Sequence, residues 1–283
     1  MSSSNMEPFV KWAGGKRQML EALRIRMPDT WKHYYEPFVG GGALMFHQKP
    51  ACAFINDINR ELIHTYTEIR DHQDSLIAAL ASMDQVTCTK EFYYQMRERY
   101  NDKLKKKDYD TEMAALFIYL NKHCFNGLYR VNTKGCFNVP WNQKKQVASM
   151  DIENIRQISG YLKSVTITCQ DFEAAASDAE EGDFVYFDSP YAPLNPDSFD
   201  SYTKEGFAES EHRRLAGLFR KLAERGVLCM LTNHNTELIR ELYADFLLEE
   251  ISVRRAINSD PKKRTGTEVI IRNYGEVSGT PAP

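Results

Sequence analysis

The chain has 283 residues, which suits one large α/β domain, or one such domain with an insertion, and allows a sizeable core. Apolar and charged fractions of 42% and 27% are ordinary for a globular protein, and no apolar run approaches membrane length. The six cysteines (52, 88, 124, 136, 169 and 229) form no CxxC pair or zinc-like Cys/His cluster and read as free thiols, and the start Met1-Ser-Ser-Ser-Asn lacks a signal-peptide pattern, so the expected location is the cytosol.

Residues 9–16, Phe-Val-Lys-Trp-Ala-Gly-Gly-Lys, precede a helical pattern that includes Met19, Leu20, Leu23 and Ile25. Gly14 and Gly15 open that helix and leave its first amides free for a ligand, although the spacing is not that of a Walker loop. Residues 34–46 then read as a short strand, a triple-glycine turn and a helix. Glycine lets the backbone approach a ligand where a Cβ would clash. The next apolar run, Cys52 to Asn56, ends at Asp57, about as far beyond the glycines as an acid that binds a ribose hydroxyl pair. Strand, glycine turn, helix, strand and acid together predict a nucleoside-binding unit.

Helices are predicted at about 59–70, 73–82, 90–106 and 110–123, the last with a core-facing stripe of Ala114, Leu116, Phe117 and Leu120. Residues 121–141 follow, rich in Asn, Lys, Arg and aromatics, with a hairpin expected over roughly 129–139 around Thr133-Lys134-Gly135. A β-ribbon of this kind fits the major groove, where an Arg reads guanine. The net charge of −3 does not advertise nucleic acid, but its distribution does. No acid lies between Met113 and Met150, where Lys122, Arg130, Lys134, Lys144 and Lys145 occur. A second basic cluster is Arg254, Arg255, Lys262, Lys263 and Arg264, whereas acids crowd 171–188. This asymmetry predicts a phosphate-facing surface on an acidic body.

A helix near 151–162 and a strand at Ser164–Cys169 lead to Asp171 and Phe172, in position to contact an adenine. Residues 184–191 read Phe-Val-Tyr-Phe-Asp-Ser-Pro-Tyr, an apolar strand that Pro190 stops. Asp188 is therefore expected at the carboxyl end of a central strand, where open α/β sheets bind ligands. A long polar loop (192–207), a helix (209–225), a strand (Val227–Leu231) and a helix (235–243) continue the alternation. Strands near 246–252 and 268–274, separated by a basic loop at Asn258–Thr267, are expected to finish the sheet. Residues 1–7 and 275–283 read as flexible tails.

Six stretches carry a resemblance in order: Lys11-Trp-Ala-Gly-Gly-Lys16, Glu36-Pro-Phe-Val-Gly-Gly-Gly42, Asn56-Asp-Ile-Asn59, Asn126-Gly-Leu-Tyr-Arg130, Phe137-Asn-Val-Pro140 and Asp188-Ser-Pro-Tyr-Ala-Pro-Leu194. Together they resemble the D12-class, Dam-like DNA adenine-N6 methyltransferases over nearly the whole chain. The resemblance implies an α/β fold, a Rossmann-like methyltransferase sheet formed by 8–58 and 151–274. A mostly helical target-recognition insertion, 59–150, carries the hairpin. It implies S-adenosylmethionine (SAM) as donor and no metal. Trp12, Lys16, Asp57 and Asp188 match donor-binding positions, with Phe38, Gly40, Ile58 and Phe172 as pocket walls. Asp188, Ser189, Pro190 and Tyr191 match the catalytic tetrapeptide, in which Ser189 replaces the family's first proline. Arg130 matches the reader of a guanine, Leu128 and Pro140 pack on bases, Lys11 touches the first base pair and Phe125 intercalates. Asn126, Asn132, Lys134, Lys144 and Lys145 complete the expected DNA-facing set. The implied partner is double-stranded DNA, the target adenine within GATC, and the expected state a monomer associated with the nucleoid. Two other functions fit the residues: a DNA-binding protein that has lost catalysis through Ser189, and methylation of RNA adenine or protein glutamine.

Overall fold

The computed structural model describes residues 6–16, 19–145, 147–194, 207–254 and 265–275. Most of the polar loop expected at 192–207, most of the basic loop at 258–267 and nearly all of both tails lie outside the described residues. No described helix is long and apolar enough to cross a membrane.

The strands are β1 (Tyr34–Glu36), β2 (Ala53–Asn56), β3 (Val165–Thr168), β4 (Phe184–Phe187), β5 (Leu228–His234), β6 (Leu247–Arg254) and β7 (Thr265–Arg272). They form one seven-stranded mixed sheet in the order β3-β2-β1-β4-β5-β7-β6. β1 pairs in parallel with β2 and β4, and β4 in parallel with β5. β7 runs antiparallel between β5 and β6. The strand order reverses at β1 and β4, which makes their carboxyl ends the switch point of the sheet. This is the Rossmann-like methyltransferase sheet the sequence implied.

By packing, the chain divides into two compact units: Met1–Gly15, Val39–Lys49 and Asn56–Cys169, and then Lys16–Phe38, Pro50–Ile55 and Gln170–Pro283. The first unit contains α2 (Ala43–Gln48), α3 (Arg60–Asp71), α4 (Gln73–Asp84), α5 (Lys90–Lys106), α6 (Thr111–His123) and α7 (Ile152–Leu162). Their starts follow from the sequence. Asn59, Thr89, Asp110 and Asp151 each accept a backbone N–H at the head of α3, α5, α6 and α7. The predicted apolar stripe of α6 is buried, but so is every residue from Met113 to Asn121. The helix packs against α3, α4 and α5 on different sides, so it has no solvent face.

The second unit contains α1 (Leu20–Arg24), α8 (Phe172–Ala175), α9 (Glu209–Glu224) and α10 (Glu237–Leu242). All four residues of β4 are buried. On one side Val185 and Phe187 pack with Leu215, Phe219, Leu222, Ile239, Val269 and Ile271 in a single apolar cluster. A strand covered on both faces reads as a continuous apolar run, which is why Phe184–Phe187 was legible.

Candidate active site

In the second unit, Asp188 follows the last residue of β4 and enters solvent-poor surroundings. Its Oδ1 lies 2.6 Å from Lys16 Nζ, with the two side chains 19% and 6% exposed. The Thr232 hydroxyl donates to the same oxygen at 3.0 Å. Thr232 is itself fully buried, and its hydroxyl lies 3.2 Å from the Tyr186 hydroxyl. Burial pushes the Asp188 carboxyl above its ordinary value, against the opposing pull of the Lys16 ammonium and the Thr232 hydroxyl. Lys16 Nζ also sits 4.5 Å from the centre of the Tyr191 ring. The Tyr191 hydroxyl donates to Glu268 Oε2 at 2.8 Å, and its ring meets His234 edge to face at 4.8 Å.

The turn between Asp188 and Ala192 is held from β5. Asn233 Oδ1 accepts the Ala192 N–H at 2.8 Å, and His234 Nδ1 lies 2.7 Å from the Ala192 carbonyl. Pro190 is exposed. Ser189 is 2% exposed, and its hydroxyl has no hydrogen-bond partner among the described residues. Ser189, the residue that departs from the expected tetrapeptide, thus carries a buried hydroxyl.

Thr232, Asn233, His234 and Glu268 were not foreseen. Their strand was expected to stop at Leu231. It continues to His234 because β7 pairs with it, Thr232 against Ile270 and His234 against Glu268.

The same unit holds Phe38 and Phe172, whose ring centres are 5.3 Å apart. Arg214 on α9 places its guanidinium 4.5 Å from the centre of the Phe172 ring and donates to Asp171 Oδ1 at 2.6 Å. Arg214 was not among the expected site residues.

In the first unit, Asp57 Oδ2 accepts the Gly40 N–H at 3.0 Å and Oδ1 accepts the Asn59 N–H at 2.9 Å. Burial pushes this carboxyl up, while the two amides favour its charged form. Gly40 has φ +48°, and a Cβ there would come within 2.7 Å of Trp12 Cδ1. Its carbonyl accepts the Tyr66 hydroxyl at 3.0 Å. Ile58, beside Asp57, is 74% exposed, unusual for a large aliphatic residue in an ordered segment. Trp12, Gly40 and Asp57 are thus tied together by Gly40, with Ile58 beside them.

Trp12 also stacks on Tyr129 at 5.7 Å. The adjacent Lys11 backbone is gripped by the buried Asn121, which accepts its N–H at 2.8 Å and donates to its carbonyl at 2.9 Å. Asn121 also donates to the Gly127 carbonyl at 3.0 Å. A Cβ at Gly127 (φ +66°) would meet Lys11 Cδ at 2.6 Å. The expected DNA-facing residues Lys11, Phe125, Asn126, Leu128, Arg130, Asn132, Lys134, Pro140, Lys144 and Lys145 are all exposed.

The hairpin is present but irregular, joined by the isolated bridge Val131↔Phe137, with Cys124↔Trp141 closing its base. Asn132 Oδ1 accepts the N–H groups of Lys134 and Cys136, which diverts the tip from a regular ladder. Behind it, α5 fixes the return limb. Asn101 exchanges two hydrogen bonds with the Phe137 backbone, and the Tyr93 hydroxyl donates to the Val139 carbonyl at 2.8 Å. Arg130 Nε donates to Asn138 Oδ1 at 2.8 Å, orienting its guanidinium.

The D12 class N6 adenine-specific DNA methyltransferase family matches residues 12–257. A Type II methyltransferase of Lactococcus lactis subsp. cremoris is 43% identical over 275 residues, covering 96% of each chain. One from Methanocaldococcus jannaschii is 40% identical over 289 residues, covering 95% of this chain and 99% of its own. The DNA adenine methylase of Escherichia coli K12 is 31% identical over 269 residues, covering 94% of each. Both the family match and these identities span nearly the whole length, and the chain belongs to the D12 class of N6 adenine-specific DNA methyltransferases.

Proposed function

We propose that the chain transfers a methyl group from SAM to N6 of an adenine flipped out of duplex DNA, within the sequence GATC. The observation that carries this reading is the Lys16–Asp188–Tyr191 cluster at the carboxyl end of β4. The residues fit the donor. Asp57 is an acid whose oxygens already take backbone amides, leaving further lone pairs for a ribose hydroxyl pair, and exposed Ile58 offers an apolar surface beside it. Trp12, Lys16, Phe38, Gly40, Phe172 and Asp188, which match the family's donor-binding and pocket positions, are the other proposed donor contacts. When bound, SAM supplies an electrophilic methyl on a sulfonium.

Adenine N6 is a poor nucleophile because its lone pair is delocalised into the ring, and in a duplex the base is stacked. Flipping costs about a few kcal/mol. Tyr191 stacks on the extruded base. Lys16 and Thr232 both contact Asp188 through Oδ1, and Oδ2 accepts one amino hydrogen. The Ser189 carbonyl accepts the other. These acceptors turn the N6 lone pair toward the methyl, and the rate gain comes from orientation and a preorganised polar site. N6 becomes acidic as the new bond forms, and its proton then leaves by Asp188.

Residues 59–150 form the target-recognition part, in which Lys11, Phe125, Asn126, Leu128, Arg130, Asn132, Lys134, Pro140, Lys144 and Lys145 face the DNA. With Nε held by Asn138, Arg130 presents its terminal nitrogens to guanine O6 and N7. Replacing Arg130 by Ala is expected to lose about 1–3 kcal/mol of discrimination at one guanine. The ratio of kcat/KM on matched and substituted duplexes measures it, and an unchanged ratio removes Arg130 from this role.

Ser189→Pro is expected to change single-turnover methylation by less than about tenfold, because the acceptor at that position is the backbone carbonyl, which both residues possess. A larger gain would mean that serine impairs the site. Methylation-aware sequencing of DNA from cells expressing the protein tests the whole reading. Adenine-N6 methylation confined to GATC supports it, another motif overturns the sequence assignment, and unmodified DNA overturns the activity.

A further inference from the structure

We propose that Glu268 is a positioning residue for methyl transfer, acting through the Tyr191 ring. This rests on the reading of Tyr191 as the ring that stacks on the target adenine. Glu268 lies on β7 directly opposite His234 of β5, so the antiparallel end of the sheet brings both side chains to the turn after Asp188. Glu268 accepts the Tyr191 hydroxyl at 2.8 Å, while His234 packs on the ring in a T-shaped pair at 4.8 Å and lies 2.7 Å from the Ala192 carbonyl. The Lys16 ammonium lies 4.5 Å from the ring centre. The ring is therefore held at its hydroxyl, packed by an imidazole and contacted by a cation.

Glu268 is an unexpected choice for a purely structural acceptor. Its charge opposes ionisation of Asp188, a carboxyl already burdened by burial. A neutral acceptor would hold the fold without that penalty. A carboxylate makes the stronger hydrogen bond to a phenol, and so fixes the ring angle more firmly. Ring angle matters because small misplacements of a reacting group are costly in rate.

The test is a double-mutant cycle on purified full-length protein, read as single-turnover methylation of a duplex carrying its target site at saturating donor. Glu268→Leu and Tyr191→Phe each remove the hydrogen bond from one side, and each is expected to slow transfer about tenfold with donor KM unchanged. The double variant is expected to be no slower than either single one. Glu268→Gln, which keeps a weaker, neutral acceptor, is expected to react faster than Glu268→Leu but slower than the parent, and a rate no better than that of Glu268→Leu overturns the role of the acceptor. Melting temperatures of all variants accompany the rates, and Tyr191→Phe carries the test if Glu268→Leu does not fold. The proposal is overturned if Tyr191→Phe or Glu268→Leu reacts at the parent rate, or if their effects multiply. Tyr191→Ala separates the two levels. If it is slow while Glu268→Leu is not, only the role of Glu268 falls; if it too reacts at the parent rate, the reading of Tyr191 falls and this one with it.

Discussion

Asp188→Ala is expected to lower kcat by about a thousandfold while leaving affinity for duplex DNA within about threefold, the scale on which removing a preorganised polar group acts. The proposed contacts of Asp188 are with the amino group and the donor side of the site, whereas the exposed residues proposed to grip DNA lie between Lys11 and Lys145. Gel-shift affinity and single-turnover rate on the same preparation separate the two. Near-normal turnover would sink the assignment. The variant also withdraws the counter-ion 2.6 Å from buried Lys16, so its melting temperature is measured alongside. The parent enzyme offers an independent check by pH. Burial raises the Asp188 carboxyl, and only the ionised form is a pure acceptor. Activity should therefore fall on acidification at a pH above that of an ordinary aspartate. Stability runs the other way. An acid with a raised folded pKa favours the fold fully below its unfolded pKa, and that contribution is lost as pH rises through the folded value. At this residue acid helps the fold while it disables the chemistry, and Asp188→Asn should flatten both dependences.

The sequence was most legible where a local pattern reports its own environment. Phe184–Phe187 is apolar without alternation because both faces of β4 are covered, and Asp188 then marks the strand end. The helix starts were legible because Asn59, Thr89, Asp110 and Asp151 cap them with their own side chains. What surrounds Asp188 was not legible, since it comes from pairing at long range. Thr232, Asn233 and His234 look like the start of a loop, and only the antiparallel β7 keeps them in strand. Glu268 reads as a charge at a strand edge until His234 stands opposite it. Arg214 is one of many polar residues on an amphipathic helix, and its place over Phe172 depends on how that helix packs. The hairpin lies between these cases. Alternation located it, but Asn132 bonds its own backbone at the tip, so it is joined by an isolated bridge instead of a regular ladder.

Asp57→Ala should produce the complementary phenotype, a donor KM raised about a hundredfold with kcat at saturating donor nearly unchanged. Two hydrogen bonds from ribose hydroxyls to a charged acceptor, at the lower end of about 1.5 kcal/mol each, account for that factor. An interaction made equally in the ground and transition states alters KM and not kcat. The ribose is remote from the transferred methyl, so its contacts do not change as the bond forms. Alanine also removes the acceptor for the Gly40 and Asn59 amides, and some affinity is lost through a looser glycine turn. Asp57→Asn distinguishes the two contributions: one oxygen still accepts an amide, but the charge is gone and an amino group replaces the second acceptor. Donor affinity by titration calorimetry should then fall between the parent and the alanine variant, with kcat still intact. A fall in kcat at unchanged KM would place Asp57 with the reacting atoms and not with the donor's sugar, reversing the division of labour between Asp57 and Asp188.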